Sequence, residues 1–343
     1  MTIIQKTVIS FLTLCLITGN PALAEGPIRE RMKERFKERA LEKLENQPAP
    51  ETTAPIDQVL TQAGDYTFSF PHQGLTRYYR VHIPPQYNPA QKTPLILAFH
   101  GGGGDMNYMA RDELYGLVSK ADQEGTIIIF PSGYSRFPSG KLATWNAGEC
   151  CADARDENID DVGFIEELIG HAHRQMSIDK NRIYAIGMSN GAMMSYRLAC
   201  ELPDIFAAIG AVAGTDNTLS CNPSRTVSVL HIHARNDTHV LFNGGAGEDA
   251  FRDKSKVADF TSVSQTIDEW LDHNQCRGKP QRILNTTGAT CDLYSDCAEG
   301  SKVQLCVTEE GGHSWPGGNK PRGEAPTRAL SANDAIWNFF KSL

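Results

Sequence analysis

From about Tyr66 onward, apolar strand-like runs alternate with amphipathic helix-like runs. Tyr66 to Phe70 and Arg77 to Ile83 read as an antiparallel edge pair, and Pro94 to His100 is apolar enough for a central strand. Further strands are predicted at Thr126 to Phe130, Arg182 to Ile186, Phe206 to Val212, Val227 to His233 and Val303 to Val307. Helices are predicted at Glu113 to Gln123, Val162 to Met176, Ala192 to Cys200, Ser262 to Asn274 and Ser331 to Phe340. Asp160 and Asp161 stand at a helix start, where the dipole and capping favour acids, so they read as structural. Alternation of this kind predicts an α/β class with a mostly parallel central sheet and helices on both faces. No internal repeat is visible.

The amino-terminal part has a different pattern. Lys6, the apolar run Val8 to Ile17 and the small-x-small stretch Ala22-Leu23-Ala24 predict an export signal over residues 1–24. Cys15 as a lipidated terminus is the rival reading, and bulky Leu14 before it speaks against that. Residues 25–47 predict a charged amphipathic helix, with Arg31, Arg35, Arg39 and Lys43 along one line and Glu30, Glu34, Glu38 and Glu42 along the next. Ile28, Met32, Phe36, Ala40 and Leu44 form a narrow apolar stripe between them, and what that helix touches is left open. Residues 48–64, rich in proline at first, read as a linker, and 65–343 as the catalytic domain. No later run reaches the roughly 20 apolar residues of a membrane span. An exported protein, extracellular or periplasmic, is expected.

Loss of Cys15 with the signal would leave eight of the nine cysteines, an even number that suggests disulfides in an oxidising compartment. Cys291 and Cys306 flank a predicted hairpin whose turn includes Glu299-Gly300-Ser301, which leaves Cys297 to reach Cys276. Cys150 and Cys151 then pair with Cys200 and Cys221, or with each other. The net charge of −8 argues against a nucleic-acid partner.

Candidate chemistry centres on Gly187-Met188-Ser189-Asn190-Gly191, a G-x-S-x-G run between a strand-like and a helix-like segment. A serine nucleophile presented on a sharp turn needs that context, with small residues where strand and helix approach. Ser189 would need a histidine to take its proton and a carboxylate to orient that histidine. His313, in a glycine-flanked loop after a strand, is the candidate base, and Asp237, after another strand, the candidate acid. Asp216 and Asp249 compete for the acid's role. His231 and His233 face the same side of one strand but lack a nearby third metal ligand. The run His100-Gly101-Gly102-Gly103-Gly104 offers Gly102 or Gly103 as one oxyanion donor, and Asn190 offers the other. No Lys-Ser/Thr follows those glycines, which argues against a nucleotide loop. Trp145 and Trp315 are candidates for stacking on substrate, with core packing as the alternative. No metal or organic cofactor is implied.

Several separated motifs occur together in one order. They are His100 to Gly104, Trp145-Asn146-Ala147-Gly148 with Cys150-Cys151, Asp160 to Phe164, Gly187 to Met194, Asp237, Asn243-Gly244-Gly245 and Gly312 to Gly318. From Tyr66 to Leu343 the chain thereby resembles the secreted polyhydroxybutyrate depolymerase-like and feruloyl or acetylxylan esterases. The resemblance implies an α/β-hydrolase fold, a triad at Ser189, Asp237 and His313, and an ester substrate, either a hydroxyalkanoate polyester or a feruloyl or acetyl ester of plant polysaccharide. Ala234-Arg235-Asn236 before the acid and the charged amino-terminal helix lie outside that pattern. A serine peptidase of the same fold, or a noncatalytic interaction protein on this scaffold, is the alternative function.

Overall fold

The computed structural model describes residues 56–250 and 259–343, together with the helical, exposed positions Glu34, Arg35, Glu38, Arg39 and Glu42. The predicted export signal, the apolar stripe and the proline-rich residues up to Pro55 lie outside the described residues. The segment from Ile56 is docked rather than free: Leu60 is buried and its N–H donates to the Gln175 carbonyl, while Gln175 Nε2 donates to Ile56 O.

The described chain runs through β1 (Gly64–His72), β2 (Leu75–Ile83), β3 (Thr93–Phe99), α1 (Met106–Met109), α2 (Asp112–Tyr115), α3 (Leu117–Glu124) and β4 (Ile127–Pro131). It continues through α4 (Ala152–Asp156), α5 (Asp161–Gln175), β5 (Ile178–Met188), α6 (Asn190–Glu201), β6 (Ala208–Val212) and β7 (Ser228–Ala234). The last elements are α7 (Val263–His273), β8 (Gln281–Thr286), β9 (Ala289–Tyr294), β10 (Val303–Thr308) and α8 (Ala332–Lys341). All ten strands join one sheet in the order β1-β2-β4-β3-β5-β6-β7-β10-β9-β8. From β4 to β10 every neighbouring pair is parallel, and an antiparallel pair flanks this centre on each side.

The pleat sorts side chains to two faces, as period two requires. Leu95, Leu97 and Phe99 of β3 join a core with Phe164 of α5, Met193 of α6 and Trp270 of α7. Ile96 and Ala98 of the same strand join a second core with Leu117 of α3 and Ile336 of α8. Helices therefore cover both faces, as expected. The helix expected over Glu113 to Gln123 is two, because Gly116 takes φ 63° between α2 and α3. Asp160 caps α5, accepting from the Gly163 N–H at 2.9 Å, and Asp161 is buried against Arg77 at 2.6 Å, so both acids are structural.

Disulfides join Cys150 to Cys151, Cys200 to Cys221, Cys276 to Cys297 and Cys291 to Cys306. Cys291 of β9 and Cys306 of β10 are direct partners in the antiparallel register, which puts their Cα atoms 4.1 Å apart. Among the described residues no helix is long and apolar enough to cross a membrane.

Candidate active site

In an open parallel sheet, the loops after the strand carboxyl ends gather along one edge and form the natural site for a ligand. Ser189 follows β5, Gly101 to Gly104 follow β3, and Asp237 and His313 lie in the loops after β7 and β10. A cavity of about 650 Å³ at that edge is lined by Gly102, Ser189, Asn190, His239 and His313.

Ser189 occupies a sharp strand-to-helix turn at φ 57°, ψ −125°, a conformation costly for a residue with a side chain. Its neighbours make the turn feasible. A Cβ at Gly187 would overlap the Gly191 carbonyl, and a Cβ at Gly191 would overlap the Phe99 carbonyl, so α6 abuts the strand ends only because both residues are glycine. The Ser189 N–H donates to Val212 O at 2.8 Å, which ties the turn to β6.

Asp237 is held from both sides. Its Oδ1 accepts the N–H groups of His239 and Val240 at 2.8 and 3.0 Å, leaving Oδ2 to accept from His313 Nδ1 at 2.8 Å. Burial alone would raise this carboxyl; the charge and hydrogen bond of His313, with His233 and the His239 N–H, outweigh it and hold the group below the usual carboxylate range. The loop residues outside the family pattern contribute here: Asn236 Oδ1 accepts the Gly312 N–H at 2.9 Å and so links the acid's loop to the base's loop. The Asp237 bond fixes the His313 proton on Nδ1 and leaves Nε2 free to accept. Among the described residues Ser189 Oγ makes no hydrogen bond to His313, though both line one cavity; such contacts commonly tighten only with substrate.

The rival acids are engaged elsewhere. Asp216 accepts from Trp270 Nε1 at 2.9 Å and from Thr218 Oγ1 at 2.6 Å, beneath α7. Asp249 lines the cavity, but its carboxylate accepts from Thr238 Oγ1 at 2.8 Å.

The oxyanion candidates separate in the structure. Gly103 donates its N–H to Ala143 O at 2.8 Å, which commits it to holding the loop. The Gly102 N–H makes no backbone hydrogen bond among the described residues, and Asn190 begins α6, where N–H groups have no partner within the helix. His100 staples this loop: Nδ1 donates to Gly101 O at 2.8 Å and Nε2 accepts the Gly133 N–H at 3.0 Å. Only the neutral ring satisfies both, and burial pushes its pKa down to about 4.

Of the two readings of Trp145 and Trp315, stacking on substrate or core packing, their burial favours packing. Trp145 is fully buried with Nε1 donating to His100 O at 3.0 Å, and Trp315 is 2% exposed with Nε1 donating to Asn333 Oδ1 at 2.9 Å. Indoles have one polar atom, and both spend it inward. The Tyr and Phe residues that line the cavity, among the described residues, are Tyr108, Tyr115 and Phe260, and the rings of Tyr108 and Tyr115 meet edge to face at 6.0 Å. Tyr108 sits on a one-turn helix too short to show a periodic signal in sequence, and Tyr115 ends the next one-turn helix, inside the stretch read as a single helix.

His231 and His233 are buried and hydrogen-bonded to each other, Nε2 to Nδ1 at 3.1 Å. Val240 O can only accept, so His233 donates from Nε2 at 2.8 Å, His231 donates to His233, and the Tyr196 hydroxyl donates to His231 at 2.8 Å. Every ring nitrogen is engaged in this one-way chain, and burial holds both imidazoles below their ordinary pKa, so the pair is built as neutral scaffold behind Asp237. His239, which sequence reasoning passed over, lies on the cavity wall with its ring flat against His313, centroids 4.4 Å apart and planes 10° apart. Asp237, His239 and His313 each offer a metal-ligand atom within 4.8 Å of the others. The two imidazoles are near-parallel, however, so their in-plane lone pairs run side by side instead of converging on one ion, and Asp237 already takes the His313 Nδ1 proton.

Residues 74–288 match the family model described as "Putative esterase". Feruloyl esterase B of Piromyces equi is 31% identical over 240 residues, 68% of this chain; the chain spans only 42% of that protein's length. Feruloyl esterase C of Emericella nidulans is 30% identical over 272 residues, 77% of this chain and 83% of the relative. Among solved structures, acetyl xylan esterase from Aspergillus awamori superposes with TM-score 0.53 at 14% identity, covering 78% of this chain and 94% of that one, which shows the α/β-hydrolase fold.

Proposed function

The chain belongs to the esterase family whose model it matches, and from that membership we propose that it is a serine carboxylic ester hydrolase with Ser189, His313 and Asp237 as its triad. The observation that carries this reading is the pairing of a nucleophile-type turn at Ser189 with an imidazole whose free Nε2 is set by Asp237, both on one cavity.

The steps follow from the donors in place. Ser189 Oγ attacks the ester carbonyl carbon while His313 Nε2 takes the hydroxyl proton, and Asp237 offsets the positive charge on the ring. The carbonyl oxygen, now anionic, is met by the N–H groups of Asn190 and Gly102. Collapse breaks the ester C–O bond, His313 returns the proton to the leaving alcohol, and an acyl-serine remains. Water then repeats the sequence and releases the acid. No further group has to enter the balance.

The substrate class rests on the relatives, which are named for feruloyl esters and for acetylated xylan. Tyr108 and Tyr115 give the cavity an aromatic wall suited to a hydroxycinnamoyl group, which favours esters of plant polysaccharide over an aliphatic polyester. The export signal read over residues 1–24 and four disulfides support action outside the cytoplasm.

The test is a parallel assay of the protein purified without residues 1–24 on methyl ferulate, acetylated xylan and a hydroxybutyrate oligomer, beside Ser189→Ala. Hydrolysis of ferulate or acetyl esters that vanishes in the variant is expected. Preference for the oligomer would move the substrate to polyesters, and turnover surviving in Ser189→Ala would overturn the triad.

A further inference from the structure

We propose that His239 is a positioning residue for the triad: its neutral ring, lying flat on His313, keeps that imidazole aligned and stabilises the imidazolium formed when Ser189 gives up its proton. The inference rests on the triad reading above.

Three observations carry it. The stacking is close and parallel, 4.4 Å between centroids at 10°. Hydrogen bonding does not account for the ring's place, because among the described residues His239 Nδ1 is buried with no partner, so the face-to-face contact is what its position serves. The same carboxylate also anchors both partners. Asp237 Oδ1 accepts the His239 backbone N–H at 2.8 Å while Oδ2 accepts from His313 Nδ1 at 2.8 Å, so the two rings are referred to one rigid group.

The stack works only if His239 carries no charge, since two imidazolium rings at that spacing would repel. Among the described residues, the titratable and charged groups that face it are His313, Asp237, Lys320 and Asp249. Burial lowers its pKa first, the charges of His313 and Lys320 lower it further, and Asp237 and Asp249 oppose them; the outcome is a value pushed down to about 4. At any pH where an esterase of this kind would work, the ring is therefore a neutral π face. When Ser189 Oγ–H transfers its proton to His313 Nε2, the new positive charge spreads over a ring already covered by that face, a cation–π contact in partly desolvated surroundings. The proton goes on to the leaving alcohol, and His239 neither gains nor loses one.

The test uses His239→Leu, which fills similar space without a π face, and His239→Phe, which restores the face without a titrating nitrogen. On an ester that wild type turns over, His239→Leu is expected to lower kcat about tenfold with KM within about twofold, and to move the acid limb of kcat/KM to lower pH. His239→Phe is expected to restore kcat to within about threefold of wild type and to return the acid limb to its place. Equal loss in both variants with an unshifted acid limb would make His239 mere packing and overturn the proposal, as would wild-type behaviour of His239→Leu. Ser189→Ala run beside them separates this outcome from failure of the triad itself. Should His239→Leu fold poorly, ¹⁵N NMR of histidine-labelled wild type gives the same answer: His239 must stay neutral while His313 titrates, and simultaneous protonation of the two overturns the inference.

Discussion

The backbone of Trp145 and the side-chain amide of Asn190 hydrogen-bond to each other in both directions. The Trp145 N–H donates to Asn190 Oδ1 at 2.7 Å, and Asn190 Nδ2 donates to the Trp145 carbonyl at 3.0 Å. Asn190 is thereby fixed by its side chain while its own N–H, at the start of α6, remains for the oxyanion. Asn190→Ala strips the partner from the buried Trp145 N–H, at a cost of about 1–3 kcal/mol, whereas the Trp145 carbonyl keeps the Cys151 N–H at 3.1 Å. Stability in urea is expected to fall by about 1–3 kcal/mol, with a loss of kcat because the 145 loop no longer clamps the donor. A variant as stable as wild type would show that the clamp is idle.

Asp237→Asn has a predictable chemistry because Oδ1 accepts from two backbone N–H groups, those of His239 and Val240. Those donors force the amide oxygen to sit where Oδ1 sits, which turns the amide NH₂ toward His313. His313 must then accept at Nδ1 and carry its proton on Nε2, where it cannot take the Ser189 proton. A drop in kcat of about 10⁴ is expected, the cost usual for this tautomer error in serine hydrolases. Direct kcat measurement on a p-nitrophenyl ester decides it, and a loss below about tenfold would remove Asp237 from its assigned role.

His100 sets an acid limit on stability. An unfolded chain protonates this ring near its ordinary 6.5, whereas in the fold burial opposes the charge down to about 4. The unfolded state thus binds more protons between those values, so the contribution of the neutral ring is complete above 6.5 and is lost as pH falls from 6.5 to about 4. The loss is about 3 kcal/mol. His239 titrates over the same window, so the wild-type slope alone does not isolate His100. The difference in urea midpoint between wild type and His100→Gln, followed across this window, does; parallel slopes would contradict the assignment.

How much of this was legible depends on the range of the signal. The turn at Ser189 and the glycine run after β3 were readable because each is a local backbone demand that only certain residues meet. The central strands were readable from unbroken apolar runs, whereas β8, whose six residues are mostly exposed, carries no such signal and was missed. Gly103 could not be told from Gly102, since what separates them is a hydrogen bond to Ala143, forty residues away in sequence. Whether Trp145 and Trp315 stack on substrate or pack in the core was left open by the sequence for a related reason: exposure of a loop indole is decided by what the fold lays over it. His239 lies two residues past Asp237, yet its stack on His313 exists only once the loops after β7 and β10 meet.

Tyr108 offers a test of substrate choice that leaves the fold alone. It is 38% exposed on the cavity wall, and its ring meets the largely buried Tyr115 edge to face at 6.0 Å. Removing an exposed ring forfeits little core packing, so Tyr108→Ala should melt close to wild type. An aromatic acyl group that stacks there loses an interaction of about 0.5–1.5 kcal/mol, which corresponds to a rise in KM of about two- to twelvefold for methyl ferulate. An acetyl ester has no ring to lose, and its KM should hold. Parallel KM values for the two esters therefore read the wall directly: a selective rise places the hydroxycinnamoyl group against Tyr108. An equal rise for both would mean that Tyr108 shapes the entrance in general. No change for either would send the aromatic group to another part of the lining, such as Met193 and Phe260.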